Sequence, residues 1–262
     1  MAIHQKKYFH NSLIDKWEKK DGVDFAIALS RVTGWLLQVD WFASHENDIE
    51  ENMIPLRVSV GTDQNDIFDF MGKSNLDNYY GNILKPIAAK RLKGGGQGGI
   101  LNRFYSEEKL NTLPLRFKPN EIEIEKAKEI ILNNALFLNL VPQRLNPKIP
   151  AHIAAQYTYG DCVVFAQAKK DFSNLPAMAI MVSRYSYQFK YSKLGFCHCV
   201  NIHSDGEVED VWGKQPLSKI LERFGILEYS MSAEIHNEAN ENLKRNSPEK
   251  YKTSYDQIIQ FL

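Results

Sequence analysis

Cys162, His198 and Asp210 are the residues of this 262-residue chain whose types and order suit nucleophilic acyl chemistry. Cys162 follows Tyr159-Gly160-Asp161 and opens a run, residues 163–171, that reads as a helix. Glycine at 160 permits a tight entry that leaves a side chain standing free at the helix start. There the helix dipole and unpaired N–H groups favour a thiolate, the nucleophilic form of cysteine. A small buried core cysteine is the competing reading. His198 begins a predicted strand with Val200 and Ile202 on the same face, and Asp210 sits on the next strand of the hairpin. Adjacent antiparallel strands set such a pair side by side. The carboxylate would fix the imidazole tautomer and favour its charged form. Taken singly, His198 reads as a satisfied core histidine and Asp210 as a turn-flanking carboxylate. The order Cys–His–Asp, on a helix and a hairpin, makes chemistry the expectation. Gln156, six residues before Cys162, is the expected oxyanion donor beside the Cys162 backbone N–H. An ordinary polar residue before a loop is its alternative.

The elements that must position these groups are read from periodicity. In the first half, helices are expected over 12–20 and 24–33, the second ended by Gly34. Strands are expected over 36–42, 56–60 and 67–70. Residues 93–99, KGGGQGG, read as a linker, because a phosphate-binding loop would need a Lys-Ser/Thr pair after its last glycine. Residues 121–140 carry the longest helical pattern, with an acidic first turn. In the second half, strands are expected over 177–183, 196–203 and 207–212, with a turn at Ser204-Asp205-Gly206. Tyr185, Tyr187, Phe189 and Tyr191 alternate as a half-buried strand would, a substrate-facing edge being the sharper alternative. Residues 217–262 read as mostly helical and polar, with 237–252 a solvated helical or frayed tail.

The two halves repeat one rhythm. Phe25-Ala26 aligns with Phe165-Ala166, which sets Gly22 on Cys162. Arg57 falls on His198 after a one-residue slip, and Asp69 falls on Asp210. Both pairs are separated by 12 positions and both end in Asp-x-x-Gly. Two copies of one α+β module are therefore expected, the first lacking thiol and imidazole. Chance is the bland alternative, since both short motifs are common. The expected division is a first domain over 1–115 and a catalytic domain over 116–262.

From Ala151 to Gly213, the Gln156-x5-Cys162 spacing at a helix start, His198 on a strand and Asp210 on the next resemble the papain-like cysteine hydrolase core. The Cys-to-His separation of 36 positions is similar to that of the compact transglutaminase-like and toxin or effector deamidase branch. Papain's own Cys-Gly-Ser-Cys-Trp signature is absent, because Val163-Val164 follow Cys162. The resemblance implies a papain-like α+β fold and acyl transfer on an amide of a protein substrate, as glutamine deamidation or narrow proteolysis. It implies Cys162 as nucleophile, His198 as base and acid, Asp210 as orienter and Gln156 as oxyanion donor. A cognate inhibitor protein is an expected partner. The reading from another class is a catalytically silent two-lobed binding module, of inhibitor or immunity type.

Composition excludes other classes. Lys+Arg and Asp+Glu are both 32 and net charge is +0, so the basic excess of a nucleic-acid binder is missing. No apolar run reaches 18 residues, so no membrane span is expected. The polar N-terminus does not read as a secretory signal. Three cysteines, an odd number, suggest a reducing compartment. The expected location is cytoplasmic, or inside a target cell after delivery without a cleavable signal. Cys197, His198 and Cys199, with His203 and Asp205, carry metal-ligating types. Strand alternation would face Cys197 and Cys199 one way and His198 the other, and a second ligand pair is missing. No metal and no cofactor are expected. His203, beside the turn, ranks second as general base.

Overall fold

A computed structural model describes residues 7–92 and 97–262. The expected linker at 93–99 falls largely outside the described residues. The chain forms two compact units, residues 1–144 and 145–262. The division lies later than the expected 115/116 because a helix at 121–132 packs on a helix of the first unit.

In the first unit, α1 (Asn11–Lys19) leads to α2 (Val23–Thr33). The apolar run from Val23 to Leu29 buries α2, and Gly34 caps it in the left-handed region at φ 71°. Strands β1 (Leu36–Ala43), β2 (Ile54–Gly61), β3 (Asp66–Asp69) and β4 (Gly72–Asn75) follow. Then α3 (Leu76–Tyr79) runs through a wider turn into α4 (Lys85–Leu92), and β5 (Gly99–Tyr105) returns to the sheet. The sheet order is β4-β3-β2-β1-β5, with every neighbour antiparallel. Helices α5 (Glu107–Thr112), α6 (Glu121–Leu132) and α7 (Ala135–Leu138) complete the unit. The single helix expected over 121–140 is thus two, broken where Asn133 caps one and Asn134 starts the next. Phe9, Trp17, Phe25, Phe70 and Phe137 pack as one aromatic cluster beneath α2. Edge-to-face and tilted contacts of this kind add to the burial of such large side chains.

In the second unit, α8 (Ala151–Tyr159) and α9 (Cys162–Ser173) precede β6 (Ala177–Tyr185), β7 (Gly195–Ile202), β8 (Val208–Asp210) and β9 (Gly213–Gln215). Then come α10 (Leu217–Phe224), β10 (Ile226–Ser232), α11 (Ala233–Asn246) and α12 (Pro248–Ile258). The sheet is again antiparallel, in the order β10-β6-β7-β8-β9. Read from its other edge, this is the order of the first sheet. A helix, four strands in meander and a returning fifth strand beside the first recur in both units. The class is α+β with two antiparallel sheets.

Three sequence expectations are corrected here. Residues 185–191 are not a strand: β6 ends at Tyr185, Tyr187–Phe189 form one tight helical turn, and Tyr187 and Tyr191 lie exposed. The strict aromatic alternation therefore serves a surface rather than a half-buried ladder. Residues 226–232, read as helical, are the edge strand β10. Of the two forms expected for 237–252 the frayed one falls away, because helices α11 and α12 run through it, mostly exposed, and pack on α9. Among the described residues, no helix is long and apolar enough to cross a membrane.

Candidate active site

Cys162 is the first residue of α9, and no side chain caps that helix start. The first N–H groups of a helix have no partner within the helix. The residue is 5% exposed. One side of it packs with Val163, Ala166, Ala177, Ala179 and Cys199. Its other side lines an open cavity of about 370 Å³. The sulfur thus sits at the boundary between core and cavity.

His198 and Asp210 are both buried. His198 Nε2 lies 3.2 Å from Asp210 Oδ2. Asp210 Oδ1 accepts from the backbone N–H of Trp212 at 3.0 Å. Arg223, fully buried at the end of α10, donates to Asp210 Oδ2 as well. Burial pushes the Asp210 carboxyl up, but the Arg223 charge and the His198 hydrogen bond outweigh it and hold Asp210 down at about 2. His198 Nδ1 is buried with no hydrogen-bond partner. An orphan of this kind calls for an explanation, and the Cys162 thiol is the neighbouring group whose charge acts on the ring. Burial disfavours the imidazolium, yet bonding to Asp210 and Cys162 raises His198 to about 9. Cys162 is held well below the ordinary thiol value, first by the Cys199 thiol, against burial, and then by His198. Cys199 is pushed well above that value by bonding to Cys162 and by burial, and burial raises Cys197. Of the three sulfurs, Cys162 is the one whose proton affinity is lowered.

A β-bulge aims these groups. Ile180 pairs with His198 and Met181 with Phe196, so Cys197 is the extra residue on β7. Bulges re-aim neighbouring side chains. The expectation that Cys197 and Cys199 share a face is therefore corrected. Cys199 packs beneath α9 with Cys162, whereas Cys197 joins the cluster around Ile180 and Val200 and lines the cavity.

Gln156 is not brought to the thiol. It is exposed on α8 and its amide donates to Asp161 Oδ2 at 2.9 Å. Ser254 donates to the same oxygen and Lys250 pairs with the other. The helix periodicity of α8, missed in the sequence, turns Gln156 outward. His203 bonds Glu209 at 2.8 Å beside the turn. Among the described residues no group of three His, Cys, Asp or Glu converges as metal ligands.

Sequence reasoning missed Arg223, Cys199 and His236. Arg223 lay inside a polar helical pattern. Cys199 was weighed only as a metal ligand. His236, on α11, is fully buried near the start of α9, and burial lowers its proton affinity.

The first unit repeats this geometry without the chemistry. Arg57 Nη1 meets Asp69 Oδ2 at 3.0 Å, and Met71 N–H donates to Asp69 Oδ1 at 2.7 Å. A bulge again falls one residue earlier, at Leu56, because Asp40 pairs with Arg57 and Trp41 with Pro55. Gly22, which the alignment sets on Cys162, is the N-cap of α2 at φ 78°. A Cβ there would lie 2.6 Å from Val58 O, so the strand backbone fills the space a side chain would need. Gly22→Ala is expected to cost about 2 kcal/mol or more of stability. Urea unfolding measures it, and an unchanged midpoint would contradict the close packing.

Comparison with protein-family models, with curated proteins and with solved structures returns no match for this chain. The functional reading therefore rests on the site itself.

Proposed function

We propose that the chain is a thiol-dependent hydrolase acting on an amide of a protein substrate, with a papain-like catalytic unit and a degenerate first copy. The observation that carries this reading is the buried imidazole of His198. One of its nitrogens is taken by Asp210, and the other is left for a sulfur at an uncapped helix start. The Cys162 thiolate attacks the amide carbonyl carbon, forming a C–S bond. The oxyanion is met by the N–H groups opening α9. The C–N bond breaks as His198 Nδ1–H protonates the leaving nitrogen. Water, deprotonated by His198, then attacks the thioester, releases the acid and restores the thiolate–imidazolium pair. Asp210 keeps the ring oriented throughout and favours its charged form before attack and after deacylation.

The test is mass analysis of a peptide library incubated with wild-type protein and with Cys162→Ala. Wild type is expected to give cut peptides or amide-to-acid conversions, and Cys162→Ala neither. Undiminished turnover by Cys162→Ala sinks the proposal.

A further inference from the structure

The cavity beside Cys162 has walls of one character. Tyr185, Phe189 and Phe196 come from the end of β6 and the approach to β7, Phe224 from the end of α10, and Tyr159 from the turn before Cys162. Among the described residues that line it there is no Asp, Glu, Lys or Arg. A charged group entering would lose water and find no counter-ion in the wall. An apolar group would bury against several rings. Of the polar side chains in the lining, the Ser192 hydroxyl stands at the open rim, and two others are engaged. Thr158 Oγ1 already donates to Ala154 O and accepts from Trp212 Nε1, and the Tyr185 hydroxyl leans on Lys193 O.

The aromatic wall is built into the backbone. Gly225, at φ 64°, caps α10, and a Cβ there would meet the Phe189 ring at 2.1 Å. The ring therefore rests on bare backbone. Ser186 N–H donates to Gly225 O at 2.7 Å and pins the same segment. Only glycine at 225 lets Phe189 stand where it does.

The cavity also has a direction relative to the chemistry. Its lining includes Cys162 but not His198. His198 is buried behind that wall, its ring 4.9 Å from that of Phe224, and because the acyl carbon bonds to the sulfur that the cavity exposes, the side chain adjoining the carbonyl is the group set against it.

We infer that this cavity is the acyl-side specificity pocket and that it takes an uncharged apolar side chain, aromatic or branched aliphatic, adjoining the attacked carbonyl. The inference rests on Cys162 being the nucleophile. It selects peptide cleavage after an apolar residue over deamidation of a glutamine side chain.

The experiment uses the full chain and peptidyl chloromethyl ketones that differ only in the side chain beside the electrophile: Phe, Leu, Gln, Glu or Lys. Cys162 modification is followed by intact mass, each rate divided by that of iodoacetamide. Phe and Leu probes are expected to label at least about tenfold faster than Gln, Glu or Lys probes. Phe196 is 41% exposed, so Phe196→Lys tests the wall on a surface position and is expected to rank the Glu probe above the Phe probe. Gly225→Ala, which evicts the Phe189 ring, is expected to narrow the Phe preference. Equal ratios across the probes, or a preference for Gln, would overturn the pocket while leaving the nucleophile intact. Iodoacetamide labelling that does not depend on His198 would instead overturn the reading beneath it.

Discussion

Cys162 is expected to react with iodoacetamide at a nearly constant rate from about pH 9 down to about pH 6, and His198→Ala to slow that reaction about tenfold or more at the acid end. The sign follows from the directions of the two shifts. The thiol's proton affinity is depressed and that of His198 is raised to about 9. Between those limits the pair stays thiolate and imidazolium. Above about 9 the ring loses its proton, but the sulfur stays ionised. Without His198, burial opposes ionisation with only Cys199 to offset it. The thiolate then forms only as pH rises, so the deficit is widest in acid and closes in alkali. The size is set by two opposing effects. The ionised fraction of an ordinary thiol near pH 6 is well under a hundredth, but a less basic thiolate is also a weaker nucleophile. Cys199→Ala is expected to move the profile in the same direction, since that thiol supports the same charge. Peptide mapping by mass spectrometry reads the result. Cys197 and Cys199 serve as internal controls, because their proton affinities are raised. Equal rates for wild type and His198→Ala near pH 6 would show that the two side chains do not act together.

Much of this geometry was legible in the order of residues. The buried run of α2, its counterpart in α9 and the alternating hairpin strands have strong local periods. The 12-residue spacing shared by Arg57–Asp69 and His198–Asp210 exposed the repeat before any coordinates, and both pairs do meet. The one-residue slip needed to align Arg57 with His198 has a physical cause in the bulges at Leu56 and Cys197. A bulge leaves no compositional mark, so strand alternation misassigned the Cys197 side chain. Strands β5 and β10 were missed for a related reason. Both are edge strands, β10 with exposed side chains such as Glu228 and Ser230 and β5 with half-buried ones, and the place of each is decided by ladder hydrogen bonds to β6 or β1 rather than by local propensity. Gln156 shows the opposite failure. Its spacing to Cys162 suited an oxyanion donor, but the turn of α8 spends its amide on Asp161. The unit boundary was misplaced because Pro114 and Pro119 look like linker punctuation, whereas packing of α6 on α2 carries the first unit on to Arg144.

Arg223→Met is expected to destabilise the second unit by about 3–5 kcal/mol. Asp210 Oδ2 is met by two cationic partners, the His198 ring and the Arg223 guanidinium, and no member of this group reaches water. Removing Arg223 leaves a carboxylate that burial pushes toward its neutral form, with only His198 to oppose it. The pH dependence distinguishes this cause from simple loss of volume. Asp210, held at about 2 against an ordinary 3.8, contributes stability that is present above about pH 4 and is lost as pH falls through about 2. In Arg223→Met the same carboxyl has a higher proton affinity, so it neutralises earlier on acidification. The gap between the two proteins is therefore expected to shrink as pH falls from about 6 to about 3. Urea unfolding at several pH values, followed by circular dichroism, measures it. Asp210→Asn together with Arg223→Met is expected to cost less than the sum of the single changes, because the pair is then removed without stranding either charge. A pH-independent gap would mean that Arg223 acts through packing alone. His198 would then owe its orientation to Asp210 without Arg223, and the depressed proton affinity of Asp210 would have lost its physical cause.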